Sequence, residues 1–308
     1  MERVLEGHIG GSPQQPGLKW THLKPGRVST VLGEEGQAVS KYMVQQVYDK
    51  LGLRQRQMHK AETMGQVANR DEQFVNIKAL QGAFLDAGLP VFSVDTKKKE
   101  PIGNFFRSGN GYGNQAKRVN DHDFLPKGTT VVVPHGIYDV GDNWGYMTLG
   151  VSKDTSAFVT DNLGYWWKEK LQFKYPDANM MLLLMDGGGS NNCRHFIVKN
   201  DLIQLSKDLD MRIVVAHYPA YCSKWNPIEH RLFSQVHQAM QGEVFTSVPV
   251  LEDLIKQTST KTGLGVDVRI NKTQYATGRK ADEDMKEYCF KNIKFDEKIP
   301  LWNYQTYP

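Results

Sequence analysis

Short apolar runs alternate with longer stretches of helical periodicity from residue 89 onward. Turn-forming residues bound the apolar runs, which predicts strands at 90–95, 130–139, 144–151, 180–186 and 212–217. Apolar spacings of three and four predict helices at 155–173, at about 195–209 and from Asn226 onward, where Asn226 and Pro227 suit the N-cap and first helical position. Three strands followed by alternating helices and strands predict an α/β fold with a mixed sheet flanked by helices.

The region before residue 89 has a different pattern. Residues 1–17 contain Gly-Gly-Ser-Pro and Pro-Gly and are predicted to be a flexible lead-in. Helices are predicted at about 25–34 and 40–51, since Ser40 is a good N-cap and Gly52 suits a helix C-terminus. Two helices joined by a short Gly-containing turn form a helix-turn-helix outline, and an ordinary helical hairpin is the alternative.

Charge adds information about the same region. The net charge of the whole chain is +4, which is compatible with nucleic-acid binding and weak evidence for it. Residues 18–60 alone carry eight Lys or Arg and three Asp or Glu, a local balance of +5. This excess favours DNA as the partner, and the basic residues predicted to contact phosphates are Lys41, Arg54, Arg56 and Lys60.

The cysteines and the apolar runs bear on the compartment in which the protein is found. The cysteines Cys193, Cys222 and Cys289 are far apart, form no C-x-x-C pair and suit a reducing compartment. The first residues have no apolar signal-peptide region, and no apolar run approaches the roughly 20 residues that span a membrane. The sequence therefore predicts a soluble, intracellular protein.

Three acidic residues sit at the ends of predicted elements. Asp95 closes one apolar run, Asp186 closes another, and Glu229 lies near the start of the helix after Asn226. Taken alone, each has an ordinary explanation as a turn cap, a tight-turn residue or an exposed helical residue. Together they can converge as oxygen ligands for two divalent metal ions that act on a phosphodiester.

Basic residues close to these acids are candidate phosphate contacts. They are Lys97, Lys98 and Lys99 directly after Asp95, and Lys224 and Arg231 on either side of Glu229. A solvent-exposed charged surface is the alternative for each. Packing is the preferred interpretation for His217, Trp166 and Trp167.

Three blocks around the acids resemble a known family. They are Ser-Val-Asp-Thr-Lys-Lys-Lys-Glu at 93–100, Asp-Gly-Gly-Gly-Ser-Asn at 186–191, and Ser-Lys-Trp-Asn-Pro-Ile-Glu-His-Arg-Leu-Phe-Ser at 223–234. Each resembles an acid block of the Rhodopirellula-type DDE transposase family of bacterial insertion sequences. Weaker similarities extend from about residue 18 to the C-terminus, and the third block is the most specific.

The resemblance implies a fold and a domain plan. The order of elements is that of the ribonuclease H-like fold, whose active site gathers acids from the first strand, the fourth strand and a late helix. The predicted parts are a lead-in at 1–17, a helix-turn-helix-like segment at 18–62, a connecting helix at 63–88, a ribonuclease H-like catalytic domain at 89–245, and a helical or irregular extension at 246–308.

The resemblance also implies an activity. Asp95, Asp186 and Glu229 would be both catalytic residues and ligands of two Mg²⁺ or Mn²⁺ ions that support strand cleavage and transfer of a 3′-hydroxyl. The implied partners are double-stranded DNA, as element ends and target, and further copies of the chain on DNA. The implied location is the cytoplasm in association with DNA, or the nucleus of a eukaryotic host.

Alternatives remain at this stage. One is a metal-dependent nuclease of the same fold that lacks strand transfer, and another is a non-catalytic DNA-binding protein derived from a transposase. A third is an ATP-using member of the fold superfamily. The third is disfavoured because Thr-Lys-Lys-Lys, not a glycine-rich loop, follows Asp95.

Overall fold

The computed structural model describes residues 4–5, 8–12, 15–56, 68–110, 114–122 and 124–308. The chain forms two compact units, residues 1–62 and residues 63–308.

The first unit contains a strand pair and two helices. Strand β1 (Ile9–Ser12) pairs antiparallel with β2 (Gln15–Thr21), and helices α1 (Pro25–Glu34) and α2 (Lys41–Lys50) follow. Both predicted helices are confirmed, and the Ser40 hydroxyl caps α2 by accepting the Met43 N–H at 3.3 Å. The strand pair shows that the prediction of a loop-like lead-in was wrong for the described residues, because local Gly and Pro signals do not reveal pairing with 15–21.

The second unit begins with helix α3 and the strands that carry or flank the first acid. Their bounds are α3 Arg70–Asp86, β3 Val91–Thr96, β4 Glu100–Pro101, β5 Val131–Asp139 and β6 Trp144–Gly150. Helix α4 (Ser156–Trp166) continues through a π-helical turn at Trp167–Leu171 into Gln172–Lys174. Strands β3, β5 and β6 followed by α4 confirm the predicted order of three strands and a helix, and the two-residue β4 is an addition that the sequence does not predict.

The remaining elements alternate between helix and strand. They are β7 Met180–Met185, α5 Phe196–Asp208, β8 Arg212–His217, α6 (a π-helical turn at Glu229–Phe233 that continues into Ser234–Met240), α7 Val248–Lys256, β9 Gly265–Asn271, α8 Glu283–Asn292, β10 Ile293–Phe295 and β11 Asn303–Thr306.

The strands of the second unit form one mixed sheet. Within the described residues its order is β10-β11-β8-β7-β3-β5-β6-β9, with β4 paired to β5. Strands β3, β7 and β8 are parallel, whereas β5 is antiparallel to both β3 and β6. The central order β6-β5-β3-β7-β8, with only the second strand reversed, is the ribonuclease H-like arrangement, so the predicted fold class is confirmed.

The segment 246–308 belongs to this sheet. Strand β9 pairs with the edge of β6, and β11 pairs with the edge of β8 and carries β10 beyond it. The prediction of a helical or irregular extension was therefore wrong for these strands. Strand β9 is half-buried along almost its whole length, and β10 and β11 have only three and four residues, so local sequence periodicity does not reveal them. Their pairing covers edges that would otherwise expose unpaired backbone groups.

Helices cover both faces of the sheet. One apolar cluster joins Phe92 and Val94 of β3 to α4 and α5, and it includes Trp166 and Trp167, whose predicted packing is confirmed. Helices α6 and α7 pack with β5 and β6 in a second cluster, and α3 packs with β7 and β8 in a third. Among the described residues, no helix is both long and apolar enough to span a bilayer.

Helix α6 approaches the sheet closely at Gly136. This residue pairs with Asp95 across the β3–β5 ladder. A Cβ atom at position 136 would lie 2.6 Å from Phe233 Cε1 and 2.9 Å from Ile228 Cδ1, both on fully or nearly buried side chains. The lack of a side chain at Gly136 therefore lets the helix that bears Glu229 lie directly over the strand next to Asp95.

We expect Gly136→Ala to destabilise the second unit by about 1–3 kcal/mol, because buried side chains must shift to admit the methyl group. Urea denaturation of the full chain measures this change. Gly82→Ala in α3 is the matched control, since no heavy atom lies within 4 Å of the added Cβ. The control should be stabilising by roughly 0.5–1 kcal/mol, and equal effects of the two substitutions would contradict the packing argument.

Candidate active site

The register of β3 and β7 brings the two aspartates together. Val94 is the last residue of β3 paired with β7, and its partner is Met185. Asp95 is the next residue of β3 and Asp186 directly follows β7, so the two acids continue the same register. Neighbouring parallel strands lie about 4.8 Å apart and equivalent residues face the same side. The two carboxylates therefore point to one face at the carboxyl end of the sheet.

Glu229 reaches this site through contacts between the start of α6 and β3. The Ser93 hydroxyl donates to Asn226 Oδ1 and accepts the Ile228 N–H at 2.9 Å, and all three residues are fully buried. Asn226 Nδ2 also reaches the Val94 carbonyl at 3.5 Å. Since Ser93 lies two residues before Asp95, these bonds fix the helix of Glu229 beside the first acid.

The same contacts refine the predicted role of Asn226. The sequence predicts that Asn226 caps its own helix. In the structure its amide group bonds β3, and the hydroxyl of Ser93 accepts the N–H of Ile228 instead. A serine from a distant strand therefore supplies the cap, and Asn226 links the helix to that strand.

Burial and like charge act on Asp95. The residue is 9% exposed, and its Oδ1 accepts the Thr96 N–H at 2.7 Å. Burial is the main cause that raises the pKa of Asp95 to about 8, Asp186 adds to it, and Glu229 contributes less. The carboxylates therefore repel one another, which is the electrostatic setting that a divalent cation would relieve.

Asp186 lies in a polar loop. Burial raises its pKa, while hydrogen bonds from the Gly188 N–H and the Asn191 side chain favour the charged form. Gly189 has a φ of 56°, a left-handed conformation that glycine adopts without strain. The three glycines after Asp186 thus allow a tight turn whose donors point back at the carboxylate.

His217 supports the backbone of Asp186. Its Nδ1 lies 2.8 Å from the Asp186 carbonyl and its Nε2 lies 3.3 Å from the Tyr304 hydroxyl. A carbonyl only accepts, so Nδ1 donates and Nε2 accepts from Tyr304. Burial lowers the pKa of His217 to about 4, which keeps the ring neutral. The packed role predicted for His217 is confirmed.

The lysines after Asp95 divide into two groups. Lys97 is 11% exposed at its side chain and pairs with Glu100 at 2.6 Å, whereas Lys98 and Lys99 are exposed. Burial raises the pKa of Glu229, and the positive charge of Lys97 opposes that shift. Lys97 therefore acts on the third acid electrostatically, and Lys98 and Lys99 remain accessible to a substrate.

The other predicted DNA contacts lie in several places. Lys224 and Arg231, on either side of Glu229, are exposed. In the first unit Lys41, Arg54 and Arg56 are exposed, and Arg54 approaches Asp49 at 3.9 Å. Lys60 lies outside the described residues. The structure places these side chains on surfaces without assigning them a ligand.

Two residues near the acids have no signal in the sequence. Asp154, just before α4, accepts a hydrogen bond from Thr96 Oγ1 at 3.3 Å and raises the pKa of both Asp95 and Asp186. Arg194 lines a cavity of about 660 Å³ together with Asp154, Lys99 and Lys280. Only the fold brings these segments together, so spacing along the chain could not identify them.

The donor types at this site fit Mg²⁺ or Mn²⁺, which prefer oxygen ligands. In the described ranges no group of three or more acidic, histidine or cysteine side chains forms a cluster that could hold a metal ion. Mg²⁺ commonly uses one or two carboxylates and keeps several waters, so a closed protein cluster is not required. The repulsion at Asp95 is the observation that favours a cation here.

The comparison with protein families identifies the chain. All of it, residues 1–308, matches the family described as the Rhodopirellula transposase DDE domain. The chain belongs to this transposase family. The resemblance inferred from the three acid blocks is therefore confirmed, and the activity class is transposition, a form of DNA recombination.

Solved structures of the Mos1 transposase are similar to this family member at low identity. The Mos1 paired-end complex with left transposon end is 15% identical, with 82% of this chain and 75% of that chain covered and a TM-score of 0.46. The pre-cleavage Mos1 transpososome is 12% identical, with the same coverage and TM-score. The mariner Mos1 paired-end complex with Mg is 15% identical, with 82% of this chain and 75% of that chain covered and a TM-score of 0.46. No curated protein matches the chain significantly.

We expect Asp95→Asn to stabilise the protein against urea at pH 8 in the presence of a chelator. The folded-state pKa of Asp95 is about 8, and the unfolded value is about 3.9. The folded state therefore holds a proton that the unfolded state releases between these values, and wild-type stability falls as pH rises through this window.

The advantage of Asp95→Asn should shrink toward pH 5, where the wild-type carboxyl is largely protonated in the folded state. Asp177→Asn, a change at an exposed carboxyl, is the control and should show no such pH dependence. An Asp95→Asn protein whose stability relative to wild type does not change between pH 5 and pH 8 would contradict the repulsion inferred at this site.

Proposed function

We propose that this transposase cuts DNA strands and transfers the resulting 3′-hydroxyl to target DNA, with Asp95, Asp186 and Glu229 as catalytic residues. The observation that carries the proposal is their placement: two acids follow one strand register, and the third comes directly after Ile228, whose N–H bonds Ser93 of the same strand. The mutual effect of the acids on the pKa of Asp95 supports their proximity.

Each part of the site has a task in this proposal. Asp95 and Asp186 present oxygen atoms from a rigid sheet, and Glu229 presents a third from a helix that Asn226 attaches to that sheet. Two divalent ions held by these oxygens would lower the pKa of the attacking hydroxyl group and neutralise charge on the leaving oxygen. Lys97 favours the charged form of Glu229, which suits a metal ligand.

DNA is the proposed partner, as both element end and target. Lys98 and Lys99 are exposed beside Asp95, and Arg194 and Lys280 line a neighbouring basic cavity. The first unit offers Lys41, at the start of α2, as a further phosphate contact. We propose that the first unit binds element ends and that copies of the chain assemble on DNA. The protein would then be found where the DNA is, in the cytoplasm of a bacterium or the nucleus of a eukaryotic host.

We expect Asp95→Asn, Asp186→Asn and Glu229→Gln each to abolish Mg²⁺-dependent strand cleavage, because each removes a charged oxygen ligand. The substrate is duplex DNA that contains the boundary of the element, and products are resolved on a denaturing gel. A gel shift on the same duplex should remain within about threefold of wild type, since binding relies on basic residues.

The matched control for these variants is Glu243→Gln, which neutralises a half-exposed acid paired with Lys117. It should cut at the wild-type rate. Cleavage near wild type by any one of the three acid variants would remove that residue from the proposal. Cleavage without joining to a second duplex would indicate a nuclease rather than a full transposase.

We expect the double variant Lys98→Ala/Lys99→Ala to cleave more slowly on any sequence, because lysines hold phosphates without reading bases. The slope of log affinity against log salt should fall by about 1 for each phosphate that a lysine no longer neutralises. Cleavage and binding are measured from low to high salt.

Lys168→Ala/Lys291→Ala is the control for that double variant, since it removes the same charge from exposed positions on α4 and α8. Its salt slope should match that of wild type. If both double variants give superimposable curves, Lys98 and Lys99 face only solvent.

A further inference from the structure

The loop after β4 holds one exposed aromatic ring between two buried side chains. Phe105 is 6% exposed and Phe106 is 63% exposed. Arg107 follows, and its side chain is only 11% exposed. The side chains of Phe105 and Arg107 point inward, so the side chain of Phe106 between them points outward to the surface.

Contacts on both sides of Phe106 make this loop rigid. The Arg107 guanidinium lies 3.4 Å above the Phe245 ring and donates to the Pro101 carbonyl at 2.5 Å. The Gly103 N–H donates to the Phe245 carbonyl at 2.8 Å. Gly103 has a φ of 142°, which side-chain-bearing residues rarely adopt. Phe106 is thus presented by a backbone that is held on both sides by these contacts.

The ring of Phe106 faces a cavity shared with a proposed catalytic residue. The cavity has a volume of about 920 Å³, and its lining includes Glu229, Lys98 and Lys99 in addition to Phe106. Leu125, 51% exposed, lines the same cavity. One space therefore combines an acid, cations suited to phosphates and an aromatic face suited to a base.

We propose that Phe106 stacks on an unstacked nucleobase of the DNA strand held at the acids. The proposal rests on the proposed function, because it assumes that DNA occupies this cavity. Lys98 and Lys99 would hold the phosphates of the strand, while the attached base leaves the duplex and lies on the Phe106 ring. Stacking on an aromatic side chain offsets part of the cost of unstacking and accepts any base.

The charge of the cavity favours a nucleic acid over an apolar protein segment. An apolar peptide would have to lie among Lys98, Lys99 and Glu229 and desolvate them without a counter-charge. A strand of DNA brings one phosphate per nucleotide and therefore neutralises the lysines as its base meets the ring.

The test measures binding to two single-stranded probes without added metal and in EDTA, so that no cleavage is needed. One probe is oligodeoxythymidylate of about twelve nucleotides, within the usual range of single-strand site sizes. The other is the same phosphodiester chain without bases. Wild type should prefer the thymidine probe, and Phe106→Ala should lower that preference by on the order of 10-fold. Affinity for the abasic probe should not change.

Three further variants and one double variant separate stacking from other effects. Phe106→Tyr keeps the ring and should keep the preference, whereas Phe106→Leu keeps apolar bulk without a π face and should lose most of it. Phe173→Ala removes a similarly exposed ring, 75% accessible, outside this cavity and should behave as wild type. Lys98→Ala/Lys99→Ala should weaken both probes alike.

Several results would overturn the proposal. They are equal binding of the two probes by wild type, an unchanged preference in Phe106→Ala, or full retention of the preference in Phe106→Leu. None of these outcomes depends on cleavage. If Phe106 supports base-dependent binding but the protein never cuts DNA, this inference stands and the proposed function is wrong. If the protein cuts DNA but its binding does not depend on bases, the proposed function stands and this inference is wrong.

Discussion

The parallel pairing of β3 with β7 is the constraint on which the rest of the structure depends. It fixes Asp95 and Asp186 in adjacent register at the carboxyl end of the sheet. The antiparallel partner β5 then places Gly136 beside Asp95, and the space above this glycine admits the helix of Glu229. Three acids that are 91 and 43 residues apart in the chain (186 − 95 and 229 − 186) are thus carried by elements that one central strand holds together. That strand pairs with two neighbours, and its Ser93 caps the helix of the third acid.

This arrangement places carboxylates that repel one another at the centre of the sheet. Burial and neighbouring carboxylates disfavour the charged form of Asp95, and few local donors oppose them. The surrounding apolar clusters offset this cost, since β3 contributes fully buried Phe92 and Val94 to the core. A buried acid with a raised pKa is the kind of group whose replacement by a neutral side chain is expected to stabilise a fold, which is the usual relation between function and stability.

The sequence predicts much of the fold, and it is also the source of the hypothesis that the three acids form a site. Apolar runs locate β3, β7 and β8, and an acid at the end of such a run already indicates a polar edge of the sheet. The contributions of Ser93, Asp154 and Phe106 are not predictable in this way, because each depends on a residue far along the chain or on the burial of its neighbours. Strands β9 and β11 are missed for a related reason: β9 is half-buried along almost its whole length, and β11 has four residues, too few for a periodic signal.

Strand β11 has a consequence for the time at which the protein acquires its structure during synthesis. The Trp302 carbonyl accepts the His217 N–H at 2.9 Å, Asn303 exchanges hydrogen bonds with Gln73, and Tyr304 meets the His217 ring. All three residues leave the ribosome long after Asp95 and Asp186. A nascent chain therefore carries its acids before the residues that support the Asp186 carbonyl through the His217 ring have been made.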